Sequence, residues 1–164
     1  MLITPAHPSD HLTLTQLTQQ SKAHWGYGAA QMREWKEELT ITAEQIATGN
    51  VYQLVIDKQI AGYYSYQALT DEKVELSNLF ISPPHIRKGV GRALLHDFLE
   101  RAKHAGFRTV TLNADPNAEG FYARHGFVVV GQKPSSIPGR FLPVMERSLS
   151  PDWTGKEVSR IDPD

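Results

Sequence analysis

The stretch Leu79-Phe80-Ile81-Ser82-Pro83-Pro84-His85-Ile86-Arg87-Lys88-Gly89-Val90-Gly91-Arg92-Ala93-Leu94-Leu95 decides the reading of this chain. An apolar strand runs into a glycine-containing turn, and the turn opens directly into an amphipathic helix. A helix start leaves several backbone N–H groups without intrahelical partners, and the helix dipole adds partial positive charge at the same end. Such a place can hold a pyrophosphate on main chain alone. Gly89 and Gly91 allow close approach to the backbone, and Arg87, Lys88 and Arg92 add positive charge. A tight strand-to-helix turn with no ligand would look the same, so this stretch by itself leaves both readings open. No Gly-x-x-x-x-Gly-Lys-Ser/Thr run is present, which sets aside a nucleotide triphosphate loop, and the meander that precedes the turn does not suit a dinucleotide fold.

Outward from this turn, 164 residues are most simply one domain over residues 1–149 followed by a polar tail, 150–164. Hydrophobic residues make up 40% and charged residues 21%, the composition of a globular chain and not of a disordered one. Lys and Arg number 17 against 18 Asp and Glu, so no overall field draws the protein to nucleic acid or an anionic membrane, and neither is expected as a partner. Cysteine is absent, which excludes disulfides, thiolate metal sites and a cysteine nucleophile. His85, His96, His104 and His125 show no ligand-like clustering, so no metal is expected. No stretch approaches the roughly 18 apolar residues of a membrane span, and the first thirty residues carry Asp10, Lys22 and three histidines, unlike a secretory signal. A cytoplasmic location is the expectation.

The periodicity predicts a strand over 2–6, then a helix through Leu12, Leu14 and Leu17 capped by Pro8-Ser9-Asp10, and a second helix from Gln31 to Leu39. Thr42 and Gln45 form a capping box for a short helix at 43–47. Strands are expected at 51–57 and 60–68 around a Lys58-Gln59 turn, and at 74–81 after Thr70-Asp71-Glu72-Lys73. Apolar positions 90, 94, 95, 98 and 102 form a helical stripe that Gly106 stops. A strand at 109–112, a short helix capped by Asn117, a strand at 127–130, a loop at 131–140 and a strand at 141–149 complete the chain. A meander followed by a βαβ crossover is an α+β fold, a mixed and mostly antiparallel central sheet flanked by helices.

A second segment gives the glycine turn its meaning. Asn117-Ala118-Glu119-Gly120-Phe121-Tyr122-Ala123-Arg124-His125-Gly126-Phe127 closely resembles the second signature of the GNAT N-acetyltransferase superfamily, and the glycine turn resembles the first, the acetyl-CoA pyrophosphate loop. The opening Ile3-Thr4-Pro5-Ala6, with Asp10 before a helix, looks like the usual start of the same family, so the resemblance covers most of residues 1–149. It implies the acyl-CoA N-acyltransferase fold, acetyl-CoA as co-substrate, and transfer of an acetyl group to a primary amine. One position departs: where the family often carries Gln or Arg three residues before the first glycine, this chain has Ile86. The backbone donors survive that change, and one side-chain contact is lost.

The resemblance also assigns roles. Cofactor contacts fall on Leu79, Phe80, Ile81, Arg87, Lys88, Gly89, Val90, Gly91, Arg92, Asn117 and Tyr122. The strand residues among these would splay from their neighbour and offer backbone groups to the pantetheine amides and the thioester carbonyl. An amine such as that of lysine has a reference pKa near 10.4, so holding it neutral at pH 7 costs about 4 to 5 kcal/mol. Glu75 stands where relatives often carry the base, directly or through water, although a solvated edge carboxylate would look the same. Tyr122 matches the family tyrosine that protonates the leaving thiolate. Without cysteine, direct attack in a ternary complex is the expected route. Acceptor-side candidates are Trp25, Tyr27, Tyr64 and Asn78. A small-molecule amine is the leading acceptor, with a protein or peptide amine, or a non-catalytic acyl-CoA-binding module, as alternatives. A homodimer stays open, since many relatives pair.

Overall fold

A computed structural model describes residues 1–149, and the polar tail lies outside the described residues. In chain order the elements are β1 (Leu2–Pro5), α1 (His11–Ala23), α2 (Ala29–Glu34), α3 (Ala43–Ala47), β2 (Val51–Ile56), β3 (Gln59–Ala68), β4 (Lys73–Ile81), α4 (Val90–His104), β5 (Thr109–Asn113), α5 (Glu119–Arg124), β6 (Val128–Pro134) and β7 (Phe141–Ser148). Seven strands lie in the order β1-β2-β3-β4-β5-β7-β6. The pairs β1–β2, β2–β3, β5–β7 and β6–β7 are antiparallel, and β4–β5 is parallel. This is the mixed-sheet α+β fold expected from the sequence. Two compact units make up the chain, Met1–Tyr66 with Asn78–Asp97, and Gln67–Ser77 with the described part of Phe98–Asp164.

The first unit is built on the two-residue alternation of β3. Tyr63 is wholly buried and its hydroxyl shares a 2.6 Å hydrogen bond with Thr18 of α1. Tyr64, also buried, turns the other way and donates to Asp97 of α4 at 2.7 Å. The helices therefore cover opposite faces of the strand, as period-two side chains require. Leu14, Leu17, Ile41, Ile46, Val51 and Tyr63 form the core on the α1 side. On the α4 side stands Gly62. A Cβ there would lie 2.9 Å from Leu94 Cδ1, 2.9 Å from the Phe80 carbonyl oxygen and 3.2 Å from Val90 Cγ1, so only glycine admits the first turns of α4 this close to the strand.

The second unit holds β5, β7 and β6, with Val110, Leu112, Phe127 and Met145 buried. Lys73 Nζ meets Glu146 at 2.7 Å, and the buried Arg147 guanidinium donates to the His125 carbonyl.

Several boundaries differ from the sequence reading, each for a local reason. The β2–β3 turn is Asp57-Lys58, one residue earlier than expected, because both residues take positive φ (50° and 67°) and so form the turn whose twist matches a hairpin. The second helix ends at Glu34, not Leu39. Residues 35–39 continue as turns, with the Leu39 N–H bonded to the Trp35 carbonyl at 2.9 Å, which buries Trp35 and Leu39 and leaves Lys36, Glu37 and Glu38 in solvent. Asp10 does not cap α1 with its side chain. It closes a capping box with His7 over the turn Pro8–Asp10 and accepts from Gln53 Nε2 at 3.2 Å. The Thr42–Gln45 capping box forms as expected. Residues 131–134, expected as loop, extend β6, with a register shift at its pairing to β7 between Val129 and Gly131.

Candidate active site

The strand-to-helix turn after β4 is held at both ends. The Ser82 N–H donates to the Ala61 carbonyl at 2.8 Å, fixing the exit of β4, and Ala93 N–H reaches the Gly89 carbonyl at 3.0 Å, which makes Gly89 the residue before the helix. The turn then takes two left-handed steps, Arg87 at φ 64° and Gly89 at φ 80°. Arg87 is a non-glycine residue in a region that side chains rarely occupy. Nothing stands within 4 Å of where a Gly89 Cβ would be, so the turn is open on that side. Arg87 and Lys88 are exposed, Arg92 is half-buried in the first turn of α4, and Val90 and Gly91 are buried. A pyrophosphate fits this chemistry.

Leu79, Phe80 and Ile81 are half-buried, and Phe80 stacks on Tyr63 with ring centroids 6.1 Å apart. The described ladder from β4 to β5 covers only Lys73, Val74 and Glu75, opposite Thr109, Val110 and Thr111. Asn78 donates through Nδ2 to Ser65 Oγ at 2.8 Å.

Glu75 sits at the end of that ladder. One carboxylate oxygen, Oε1, accepts from Gln67 Nε2 at 3.1 Å and from Ser77 Oγ at 3.2 Å, while Oε2 takes no part in either bond. The side chain is thus oriented by two donors.

Tyr122 lies in α5 with 8% of its surface exposed, edge-on to Phe121 and Phe127 at 5.2 and 5.6 Å. Burial raises its pKa well above the usual tyrosine value, and the charge of Asp115 raises it further. The phenol holds its proton throughout the neutral range, as a proton donor must. Asn117 does not cap α5. Asp115 caps the turn Pro116–Ala118 instead, its Oδ1 accepting from the Asn117 N–H at 2.8 Å and from Asn117 Nδ2 at 2.9 Å, so the Asn117 side chain is itself the group being oriented.

Of the acceptor-side candidates, Tyr64 is corrected. It is removed from solvent, bonded to Asp97 and stacked on Tyr52 at 5.4 Å, which makes it a packing residue. Trp25 is 45% exposed and edge-on to His24. Tyr27 packs edge-on against Trp35 at 4.8 Å, and the Lys22 ammonium stands over both rings at 5.3 and 4.9 Å. Beside Tyr27, a hollow of about 630 Å³ runs along Ala23, Ala29, Met32 and Arg33.

A family model for the acetyltransferase (GNAT) domain matches residues 13–143. The chain belongs to the GNAT acetyltransferase family. Solved structures agree on the fold. The PaiA N-acetyltransferase of Thermoplasma acidophilum in complex with coenzyme A superposes with a TM-score of 0.71 at 20% identity, over 90% of this chain and 98% of the other. The ribosomal-protein-S18-alanine N-acetyltransferase of Escherichia coli gives 0.70 at 18% identity, over 91% and 94%. N-acetylglutamate synthase of Neisseria gonorrhoeae, with coenzyme A and N-acetyl-glutamate, gives 0.69 at 18% identity, over 91% of this chain and 35% of the other.

As a GNAT acetyltransferase the protein is an acetyl-CoA-dependent N-acetyltransferase. Among the described residues no group of three or more His, Asp or Glu stands where a metal could be held, and no helix is long and apolar enough to cross a membrane. Sequence reasoning missed three residues of this neighbourhood. Gln67 faces Glu75 across the Thr70–Lys73 turn, and reading the hairpin register outward from that turn would have found it. Asp115 is the first residue of an Asp-Pro-Asn turn, a local capping signal given instead to Asn117. Arg140, paired with Asp115 at 3.5 Å, comes from the distant β6–β7 connection and has no local signal.

Proposed function

We propose that this GNAT acetyltransferase acetylates a primary amine of a small molecule, by direct attack of the amine in a ternary complex. The acetyl thioester of bound acetyl-CoA supplies the activated carbonyl. The turn over Ile86–Arg92 holds the pyrophosphate on backbone N–H groups, with Arg87, Lys88 and Arg92 adding charge. Backbone groups of Leu79, Phe80 and Ile81, together with Asn117, hold the pantetheine arm. Glu75 Oε2 accepts the proton of the incoming ammonium, directly or through a water. Tyr122 gives its proton to the departing thiolate as the new C–N bond forms and the C–S bond breaks. Trp25, Tyr27 and Asn78 contribute to the acceptor side.

The observation that carries this reading is the left-handed backbone at Arg87 and Gly89 opening into α4 directly after a strand. A small acceptor is supported by the hollow beside Tyr27, whose 630 Å³ is the size a small organic molecule fills. The near-zero net charge offers no field for a charged protein partner. The test is a thiol-release assay against a panel of small amines and of peptides with free N-termini or lysines. Turnover of small amines is expected, and turnover confined to peptides would refute the acceptor assignment. Acetyl-CoA should raise the melting temperature by mass action, and no shift at saturating concentration would refute the cradle.

A further inference from the structure

Asp115 and Arg140 belong to different connections of the second unit. Asp115 follows β5, and Arg140 immediately precedes β7. The antiparallel register pairs Asn113 with Val144, and the Ala114 N–H continues it to the Pro143 carbonyl at 2.9 Å, so the two connections are brought together by the sheet itself. Arg140 is set in a closed turn: the Ser135 N–H donates to the Arg140 carbonyl at 2.9 Å, Arg140 N–H donates to Ile137 at 3.1 Å, and Ile137 N–H donates to Ser135 Oγ at 3.1 Å. The turn presents the guanidinium to Asp115 Oδ2 at 3.5 Å, with side chains only 19% and 14% exposed. The other carboxylate oxygen takes both the backbone and the side-chain N–H of Asn117.

We propose that Arg140 is a positioning residue of the acetyl transfer: through Asp115 it fixes the Asn117 amide and offsets the carboxylate charge felt by Tyr122. The proposal rests on the assignments above of Asn117 to the pantetheine arm and Tyr122 to the leaving thiolate. Its physical basis is the shared carboxylate. A largely buried anion that loses this counter-charge either draws in water or moves outward, and either response releases Asn117. With Arg140 gone, the Asp115 charge also opposes more strongly the negative charge that grows on the phenol oxygen as its proton departs. The β6–β7 connection thereby acts on donor binding and proton delivery without touching the reacting atoms.

The test is a set of variants, Arg140→Met, Arg140→Lys, Asp115→Asn and the double Asp115→Asn/Arg140→Met, each checked for an unchanged melting profile. Arg140→Met should lower kcat about tenfold, part of the factor that proton transfer from Tyr122 contributes, and weaken coenzyme A binding by calorimetry several-fold. Arg140→Lys should recover most of both losses. The double variant should be no worse than Asp115→Asn alone, because the two residues act through one carboxylate. Losses that add, or a folded Arg140→Met with kcat and coenzyme A affinity unchanged, would overturn the proposal. In a Tyr122→Phe background Arg140→Met should lower kcat no further while still weakening coenzyme A. If Tyr122→Phe alone leaves kcat intact, it is the proton-donor assignment that fails. The coenzyme A affinity then decides for Arg140: weakening upholds its hold on Asn117, and no change overturns it.

Discussion

Replacing Gly62 with alanine tests how the cradle is held in place. The added Cβ would stand 2.9 Å from Leu94 Cδ1, 2.9 Å from the Phe80 carbonyl oxygen and 3.2 Å from Val90 Cγ1. Carbon contacts are comfortable at about 3.5 to 4.0 Å. Leu94 can answer by moving a methyl group, but Phe80 offers backbone, and Val90 belongs to the first turn of α4. The strand or the helix must therefore shift. Overpacking of this kind costs about 1 to 3 kcal/mol, and the lower chain entropy of unfolded alanine returns about 0.4 to 1. At the middle of both ranges the net loss is about 1.3 kcal/mol, which at about 2 to 4 °C per kcal/mol for a chain of this size lowers the melting temperature by about 3 to 5 °C. Because the shift falls on the segments that flank the turn, the stabilisation produced by acetyl-CoA should shrink as well. Gly131 is the control: no atom lies within 4 Å of its Cβ position, and Gly131→Ala should stay within about 0.5 kcal/mol of the unaltered protein. Scanning calorimetry with and without acetyl-CoA reads both effects. A Gly62→Ala protein as stable as the original, with its acetyl-CoA shift intact, would refute the idea that this close approach fixes the cradle.

Gly89 has φ 80°, so Gly89→Val strains the turn and places a branched side chain on its open side; acetyl-CoA should then no longer raise the melting temperature. Tyr122→Phe should lower kcat about a hundredfold with coenzyme A affinity nearly unchanged. The same variant should change alkaline stability. Burial first, and then Asp115, hold the Tyr122 pKa above the 10.0 of a free phenol, so the folded state keeps a proton that the unfolded chain releases. This contribution is complete below pH 10 and is lost as pH rises beyond it, at about 1.4 kcal/mol per unit. Denaturant titrations at pH 10 and 11 should show a loss smaller by about 1 kcal/mol in Tyr122→Phe, since the unfolded phenol is already half ionised at pH 10, and an identical loss would place the phenol in solvent. Glu75→Gln should lower kcat by two or more orders of magnitude, the range of general-base catalysis, with the acetyl-CoA melting shift retained; equal turnover would move the proton-accepting role elsewhere.

What could be read from the sequence followed from how local the chemistry is. The Thr42–Gln45 capping box, the stop at Gly106 and the glycine turn at Gly89 each depend on a few consecutive residues, and each stands in the structure where the pattern put it. The end of α2 was misread because it answers to distant demands: burial of Trp35 and Leu39 overrides a continuous helical pattern. Tyr64 was misread for a related reason. The strand's alternation sets it opposite Tyr63, but that its own face is covered by α4 is decided by Asp97, from an element far along the chain.

The candidate site divides along the same line. Its phosphate end is made of backbone in one contiguous stretch, so the stretch alone carries both the fold signal and the chemistry. The groups proposed to handle protons are single residues set among neighbours brought in by register: Gln67 and Ser77 orient Glu75, and Asp115, itself met by Arg140, orients Asn117 and acts by its charge on Tyr122. A resemblance can name Glu75 and Tyr122 without naming the neighbours that orient or surround them. Substitutions in the turn should therefore act mainly on donor binding, whereas substitutions at the register partners should change rate in ways that depend on one another. Non-additivity, more than loss of activity at any one residue, marks the part of the site that the sheet assembles.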